Sequence, residues 1–454
     1  MNHHAALSSA TLLRDQPWHR LIAARPALRW HAQDGLTFDD VPLAAIAAEH
    51  GTPSWIYSAA TIRNRLTLLQ TTFANIGLAP AIRFAVKAND HLAILNLLRQ
   101  GGGQSGAGNG VGAGADVTSA GEFARAAAAG IAPAAMVYSG VGKREDEIAA
   151  ALAAGIGQFN VESAEELAMI SAIATAANRI APVALRVNPD IAAGGHDKIS
   201  TGRATDKFGI PLHQAAALYR HAARLPGIRA IGFSTHIGSQ IFSPAPFEAA
   251  YRRILDLIDS LTAEGATITG FDLGGGFGIP YDDGIAFPLA AYAAMVKRLI
   301  GDRALDLTVE PGRWLVAPGG ILLARVTLTK ATEAADFTIL DAGMNDLIRP
   351  ALYDANHGIV PVGAIDAASP PRPTEIVGPV CESSDRFGQY DLPALKPGAL
   401  VAILDAGAYG AVMSSTYNAR PRAAQILIDR GQPHLIRMRQ PIDHLWHDEI
   451  IPHA

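Results

Sequence analysis

Residues 158–177 read QFNVESAEELAMISAIATAA. Gln158 to Val161 is a short run of strand length. After a polar corner, Ser163 to Ala177 carries apolar residues at three-to-four spacing, the period of a helix. The same strand-then-helix texture recurs on both sides, from about Gly51 to Arg313. Further candidate strands are Ala81 to Val86, Met136 to Tyr138, Val183 to Val187, Ala230 to Thr235, Phe271 to Leu273 and Asp306 to Val309. Candidate helices include His213 to Arg224 and Phe247 to Glu264. Roughly eight such units over about 260 residues is the size of a parallel (β/α) barrel, whose reactive residues sit at the carboxyl ends of the strands. An open doubly wound sheet shares the texture, so periodicity alone leaves closure undecided.

Beyond Arg313 the pattern changes to strands punctuated by Pro and Gly: Gly320 to Thr329, Phe337 to Leu340, Val360 to Val362, Thr374 to Val377, Leu400 to Leu404 and Ala424 to Ile428. This is the signature of an all-β second domain. Ala364 to Pro373 reads as a linker-like loop, and Gly101 to Gly114 (GGGQSGAGNGVGAG) as a low-complexity surface loop that fits no phosphate-binding motif.

At 454 residues the chain has room for two domains. With 49% hydrophobic and 17% charged residues it is not disordered, and a net charge of -5 gives no electrostatic footprint for nucleic acid. A small anionic or zwitterionic partner stays open. Cys381 is the only cysteine, so no internal disulfide can form. Met1 to Asp15 shows no secretory signal, and no stretch reaches the roughly 18 apolar residues of a membrane span. The expectation is a cytoplasmic chain.

Several polar clusters sit where strands end. In Arg83-Phe-Ala-Val-Lys87-Ala-Asn89 a lysine closes an apolar strand, where burial would lower its pKa and make it a Schiff-base nucleophile; it could equally snorkel to the surface. In Ser234-Thr-His236-Ile-Gly-Ser239-Gln240 an imidazole could stack on a flat cofactor or be a satisfied core histidine. Gly274-Gly275-Gly276 could present uncovered N–H groups to a phosphate, or simply make a tight turn. Glu310-Pro-Gly-Arg313 offers a carboxylate for a pyridine nitrogen and a guanidinium for a substrate carboxylate, or a structural ion pair. Cys381-Glu382 reads as a general acid beside a binding carboxylate, or as an inert thiol. No HExxH helix, CxxC pair or Ser-His-Asp order is present, and no metal site is expected.

The order of these clusters, followed by Asp405-Ala-Gly-Ala-Tyr409-Gly, resembles the fold-type III pyridoxal-phosphate decarboxylases, and within them the branch that acts on meso-diaminopimelate. Further matching stretches are Asn160-Val-Glu-Ser163, Arg186-Val-Asn-Pro189, Ile199-Ser-Thr-Gly202 with Lys207-Phe-Gly209, Asp341 to Tyr353 and Ser415 to Arg422. The resemblance runs from about Gly51 to Arg439. It departs at the Gly101 to Gly114 insertion, at Ala120 and at Thr235.

The resemblance implies an alanine-racemase-like eight-stranded barrel over residues 51–314. Residues 1–50 and 315–454 would form a β-barrel or sandwich domain. It also implies a homodimer with shared active sites, Cys381 and Glu382 reaching the partner's barrel. The cofactor would be pyridoxal 5'-phosphate, bound covalently by Lys87, stacked on by His236 and met at its ring nitrogen by Glu310. Ser239, Gly274, Gly275, Gly276, Arg313 and Tyr409 would surround the rest of it. Arg313, Arg349, Tyr353, Glu382 and Tyr409 would bind substrate, and Cys381 would supply a proton. The implied reaction, that of a carboxy-lyase, converts meso-2,6-diaminopimelate to L-lysine and carbon dioxide, the last step of lysine biosynthesis. A superfamily member acting on ornithine, lysine, arginine or a D-amino acid is the rival reading, disfavoured by Arg313, Arg349 and Glu382 together. A non-catalytic homologue would be expected to lack Lys87 or Cys381, and a cofactor-free aldolase-like barrel leaves the Cys-Glu turn unexplained.

Overall fold

The computed structural model describes residues 17–31, 33–101, 112–191, 206–363 and 370–452. Most of the Gly101 to Gly114 loop, Ile199 to Gly202 and the first part of the Ala364 to Pro373 loop therefore lie outside the described residues. The chain divides into two compact units. One comprises Arg63–Ile279 and Ala286–Leu315; the other comprises residues up to Ile62, Pro280–Ile285 and everything from Val316 on.

The first unit is a closed barrel of eight parallel strands: β1 (Ala81–Ala85), β2 (Gly114–Val117), β3 (Met136–Tyr138), β4 (Gln158–Val161), β5 (Ala181–Asn188), β6 (Ile228–Ser234), β7 (Gly270–Asp272) and β8 (Asp306–Val309). Each pairs with its successor, and Thr308 and Val309 of β8 register with Ala81 and Ile82 of β1, which closes the ring. Closure answers the question that periodicity left open. Every residue of β5 is buried, as expected for a strand covered on both faces. Helices between the strands start on side-chain caps: Ser119 Oγ accepts from Glu122 N (3.2 Å), and Ser163 Oγ from Glu166 N (3.1 Å). The strand β2 was not anticipated, because it adjoins the glycine-rich run and carries an acid.

The second unit is mostly sheet. Its main path runs Arg386–Leu392, Arg372–Val377, Asp336–Leu340, Gly320–Ala331, Ser54–Ser58, Ala424–Asp429 and Gln432–Arg437; Leu400–Ile403 pairs with Gly320–Ala331, and Ile359–Pro361 with Leu400–Ile403. A three-stranded sheet lies near the start of the chain. The unit is not purely β, since Pro17–Ala23, Leu43–His50 and Arg349–Tyr353 are helical. Arg372 and Pro373, read as the end of a linker, open a strand instead. The N-terminal part is tied in by a buried ion pair, Arg25 with Asp405, whose Nε–Oδ2 distance is 2.9 Å. Among the described residues no helix is long and apolar enough to cross a membrane.

Candidate active site

The carboxyl ends of the barrel strands converge on one cavity lined by Lys87, Ser139, Asn160, Arg186, Ser234, Thr235, His236 and Glu310. Lys87 lies in a single 3-10 turn, Val86–Ala88, directly after β1. The burial expected of it is incomplete: its side chain is 40% exposed, and Nζ donates to Oδ2 of the fully buried Asp116 on β2 at 3.2 Å. A turn after the strand, rather than the strand itself, lifts the lysine to the cavity. The other carboxylate oxygen of Asp116 has no partner among the described residues.

His236 follows β6 and packs against the glycine triplet that follows β7. Its Nδ1 accepts the N–H of Gly275 at 3.2 Å, so the neutral ring carries its proton on Nε2. Enclosure by protein, with Lys87 and Arg186 as neighbouring cations, holds the imidazole well below its usual pKa. No side chain fits at the triplet. A Cβ on Gly274 would stand 2.2 Å from the Thr235 carbonyl oxygen, on Gly275 2.1 Å from that of Glu310, and on Gly276 2.3 Å from that of Gly238. Two of the three amides anticipated as uncovered are already committed, Gly274 N–H to Asp272 Oδ1 (2.9 Å) and Gly275 N–H to His236. Only the Gly276 N–H lacks a partner among the described residues.

Glu310 stands just past β8 and is buried. Its Oε1 accepts from Asn160 Nδ2 (3.2 Å), which also contacts Ser139 Oγ (3.1 Å). Burial, together with the charges of Asp116 and Asp272 and a hydrogen bond to Asp272, raises the Glu310 pKa well above the carboxylate range. Burial raises Asp272 as well. Each carboxyl is thus pushed toward its neutral form by burial and by the negative charge of its neighbours. Arg313 is buried and donates from Nε and Nη2 to Ser239 Oγ at 3.3 and 3.1 Å.

A second layer fixes these groups. Lys143 Nζ donates to the carbonyls of Gly140 and Asn160 (both 2.7 Å) and to Glu166 Oε1 (2.5 Å), which anchors β4 next to Asn160. Glu162 Oε1 accepts from Arg186 Nη1 (3.0 Å) and holds that guanidinium at the cavity wall. Asp116, Asn160, Arg186 and Asp272 were given no role from the sequence, although Asn160 and Arg186 open stretches that match the family. The available signal was an acid, an amide or a guanidinium near the end of an otherwise apolar strand.

The remaining residues named from the sequence belong to the sheet unit. Arg349 is buried; its Nη1 is 2.7 Å from His357 Nε2 and its guanidinium lies 4.6 Å from the Tyr281 ring centre. His357 Nδ1 is 2.8 Å from the Leu404 carbonyl, so Nε2 is the acceptor for Arg349. Tyr353 ends the short helix that Arg349 opens. Tyr409 is half-buried, in left-handed backbone at φ 54°. Cys381 and Glu382 are exposed on a turn whose shape is set by Asp385: its buried carboxylate accepts from Val380 N and Met344 N, both at 2.6 Å.

Residues 59–317 match the family described as pyridoxal-dependent decarboxylase, pyridoxal binding domain. Fold and cavity thus define a barrel decarboxylase of the pyridoxal-dependent class. Over most of its length the chain is also 43% identical to diaminopimelate decarboxylase of Zymomonas mobilis, covering 91% of this chain and 96% of that one. It is 44% identical to the Neisseria meningitidis serogroup A enzyme of the same name, covering 91% and 98%. The crystal structure of diaminopimelate decarboxylase from Helicobacter pylori complexed with L-lysine superimposes with a TM-score of 0.83 at 36% identity, covering 89% of this chain and 98% of that one. The chain belongs to the diaminopimelate decarboxylase family.

Proposed function

We propose that this protein decarboxylates meso-2,6-diaminopimelate to L-lysine with pyridoxal 5'-phosphate, acting in the cytoplasm as a homodimer. In that dimer the sheet unit would complete the partner's barrel site. The observation that carries the reading is the single cavity onto which Lys87, His236 and Glu310 all open.

The donor set fits the cofactor. A buried carboxyl whose pKa is raised suits a basic ring nitrogen, an imidazole held neutral suits a flat ring face, and glycines that exclude any Cβ suit a close phosphate. Lys87 would hold the cofactor, His236 would lie on its ring, and Glu310 would meet its nitrogen. Ser239, Gly276, Tyr409 and Arg313 would surround its phosphate. When bound, the cofactor supplies the electron sink for the pair left behind as carbon dioxide departs. Glu310 would face the ring nitrogen, where its carboxylate would compensate a proton held there and so keep the ring an electron sink. Asp116 keeps the Lys87 amine directed into the cavity. His236, kept neutral by burial and by the cations Lys87 and Arg186, would add no charge to the ring face. Arg313, Arg349 and Tyr353 would orient the substrate carboxylates, Glu382 would take the distal ammonium, and the Cys381 thiol would give the proton that replaces the lost carboxylate.

The test is lysine and carbon dioxide formation from meso-diaminopimelate beside ornithine, lysine and arginine. Turnover confined to diaminopimelate is expected. Turnover of a rival would retain the cofactor and Lys87 while overturning the roles of Arg313, Arg349 and Glu382.

A further inference from the structure

The turn that carries Cys381 and Glu382 is held from outside itself at two places, at Asp385 by Met344 and at Cys381 by the short segment Ser415 to Asn418. Within the turn, Val380 N–H is taken by Asp385, Glu382 N–H by the Val380 carbonyl (2.8 Å) and Asp385 N–H by the Glu382 carbonyl (3.1 Å). The Cys381 N–H instead leaves the turn and donates to Asn418 Oδ1 at 2.9 Å. The adjoining Tyr417 hydrogen-bonds Glu382, which raises the phenol pKa, while Ser384 Oγ donates to Glu382 Oε1 at 2.9 Å. The segment is itself anchored, since Ser415 N–H donates to the Asn345 carbonyl (2.8 Å) and Tyr417 N–H to Ser415 Oγ (3.3 Å). Asn418 also sits in left-handed backbone, φ 57°, a conformation that asparagine adopts more readily than other residues with a side chain.

We propose that Asn418 is a positioning residue for Cys381, aiming the thiol through the backbone amide of the residue that bears it. This rests on the reading of Cys381 as the proton donor. The backbone conformation and the hydrogen bond can be separated experimentally. Glycine accepts φ 57° without cost but has no acceptor, whereas aspartate keeps the acceptor and tolerates the conformation.

The holoenzyme is compared as wild type, Asn418→Gly, Asn418→Asp and Cys381→Ser. Asn418→Gly is expected to keep its melting temperature and cofactor absorbance, hold KM within about twofold and lose about tenfold in kcat, equivalent to about 1.4 kcal/mol. Asn418→Asp is expected to recover kcat to within about threefold of wild type. As Cys381 is the only thiol, iodoacetamide reports its setting directly, and alkylation should accelerate at least about threefold in Asn418→Gly as the turn loosens. Wild-type kcat and alkylation rate in Asn418→Gly, beside a crippled Cys381→Ser, would overturn the positioning role. Near-normal turnover in Cys381→Ser would overturn the proton-donor reading instead, and the alkylation rate would then decide the geometric claim alone. A loss of kcat in Asn418→Gly that Asn418→Asp does not restore would also overturn the proposal.

Discussion

Gly275→Ala is the sharpest perturbation of the cavity. The added Cβ would stand 2.1 Å from the carbonyl oxygen of Glu310 and 2.9 Å from its carbonyl carbon, both backbone atoms. An ordinary carbon–oxygen contact is about 3.3 Å, so one of the two loops must move by roughly 1.2 Å. That motion falls on the backbone that presents the Glu310 carboxyl to Asn160 and on the amide that donates to His236. Overpacking of this kind costs about 1–3 kcal/mol in stability, and a misplacement of about 1 Å at a reacting centre costs about 100-fold in rate. Gly142→Ala is the matched control, since a Cβ there meets nothing within 4 Å. Both variants are loaded with pyridoxal phosphate, followed by absorbance, and assayed for carbon dioxide release. The expectation is weakened cofactor capture and about 100-fold lower kcat/KM for Gly275→Ala alone. Equal cofactor spectra and equal turnover in the two variants would refute the account of the cradle.

Three further outcomes follow from the contacts described. Asp116→Asn removes the charged partner of Lys87, and because that lysine is partly exposed the loss should lie at the low end of a charge-assisted bond, about tenfold in cofactor affinity by absorbance titration. Glu310 has a folded pKa raised above its unfolded value, so its contribution to stability is complete below about pH 4.5 and is lost as pH rises through the folded pKa, with a slope of at most about 1.4 kcal/mol per pH unit. In cofactor-free protein the urea midpoint should therefore decline with rising pH more steeply in wild type than in Glu310→Gln; parallel profiles would contradict this. Arg25→Met strands the buried Asp405 and should cost about 3–5 kcal/mol in urea unfolding, while Arg25→Met combined with Asp405→Asn should recover most of it.

Local pattern made much of the barrel readable. Met136–Tyr138, Gln158–Val161 and Asp306–Val309 have the bounds expected of them, since a buried strand flanked by polar corners needs no distant information. Strand β2 and its Asp116 escaped because a four-residue strand with an acid, beside a glycine-rich run, has no period to detect. Asn160 and Arg186 lay inside expected strands, yet one strand alone does not say which side chains face the cavity. Lys87, His236 and Glu310 were legible because each follows a strand end. What each does there depends on partners 29, 39 and 150 residues away: Asp116, Gly275 and Asn160. The hold of Asn418 on Cys381 was invisible for the same reason.

The strand Ser54–Ser58 has a consequence for biosynthesis. It pairs on one side with Gly320–Ala331 and on the other with Ala424–Asp429, so it is made early and both of its neighbours are made late. At a synthesis rate of about 5–20 residues per second, the stretch from Tyr57 to its partner Gly320 takes roughly 13 to 50 seconds. Throughout that interval the nascent chain trails a strand with two open edges while all eight barrel strands emerge. Cells making this protein face a window of self-association set by the pace of the ribosome, and moving the strand to the C-terminus by circular permutation would close it.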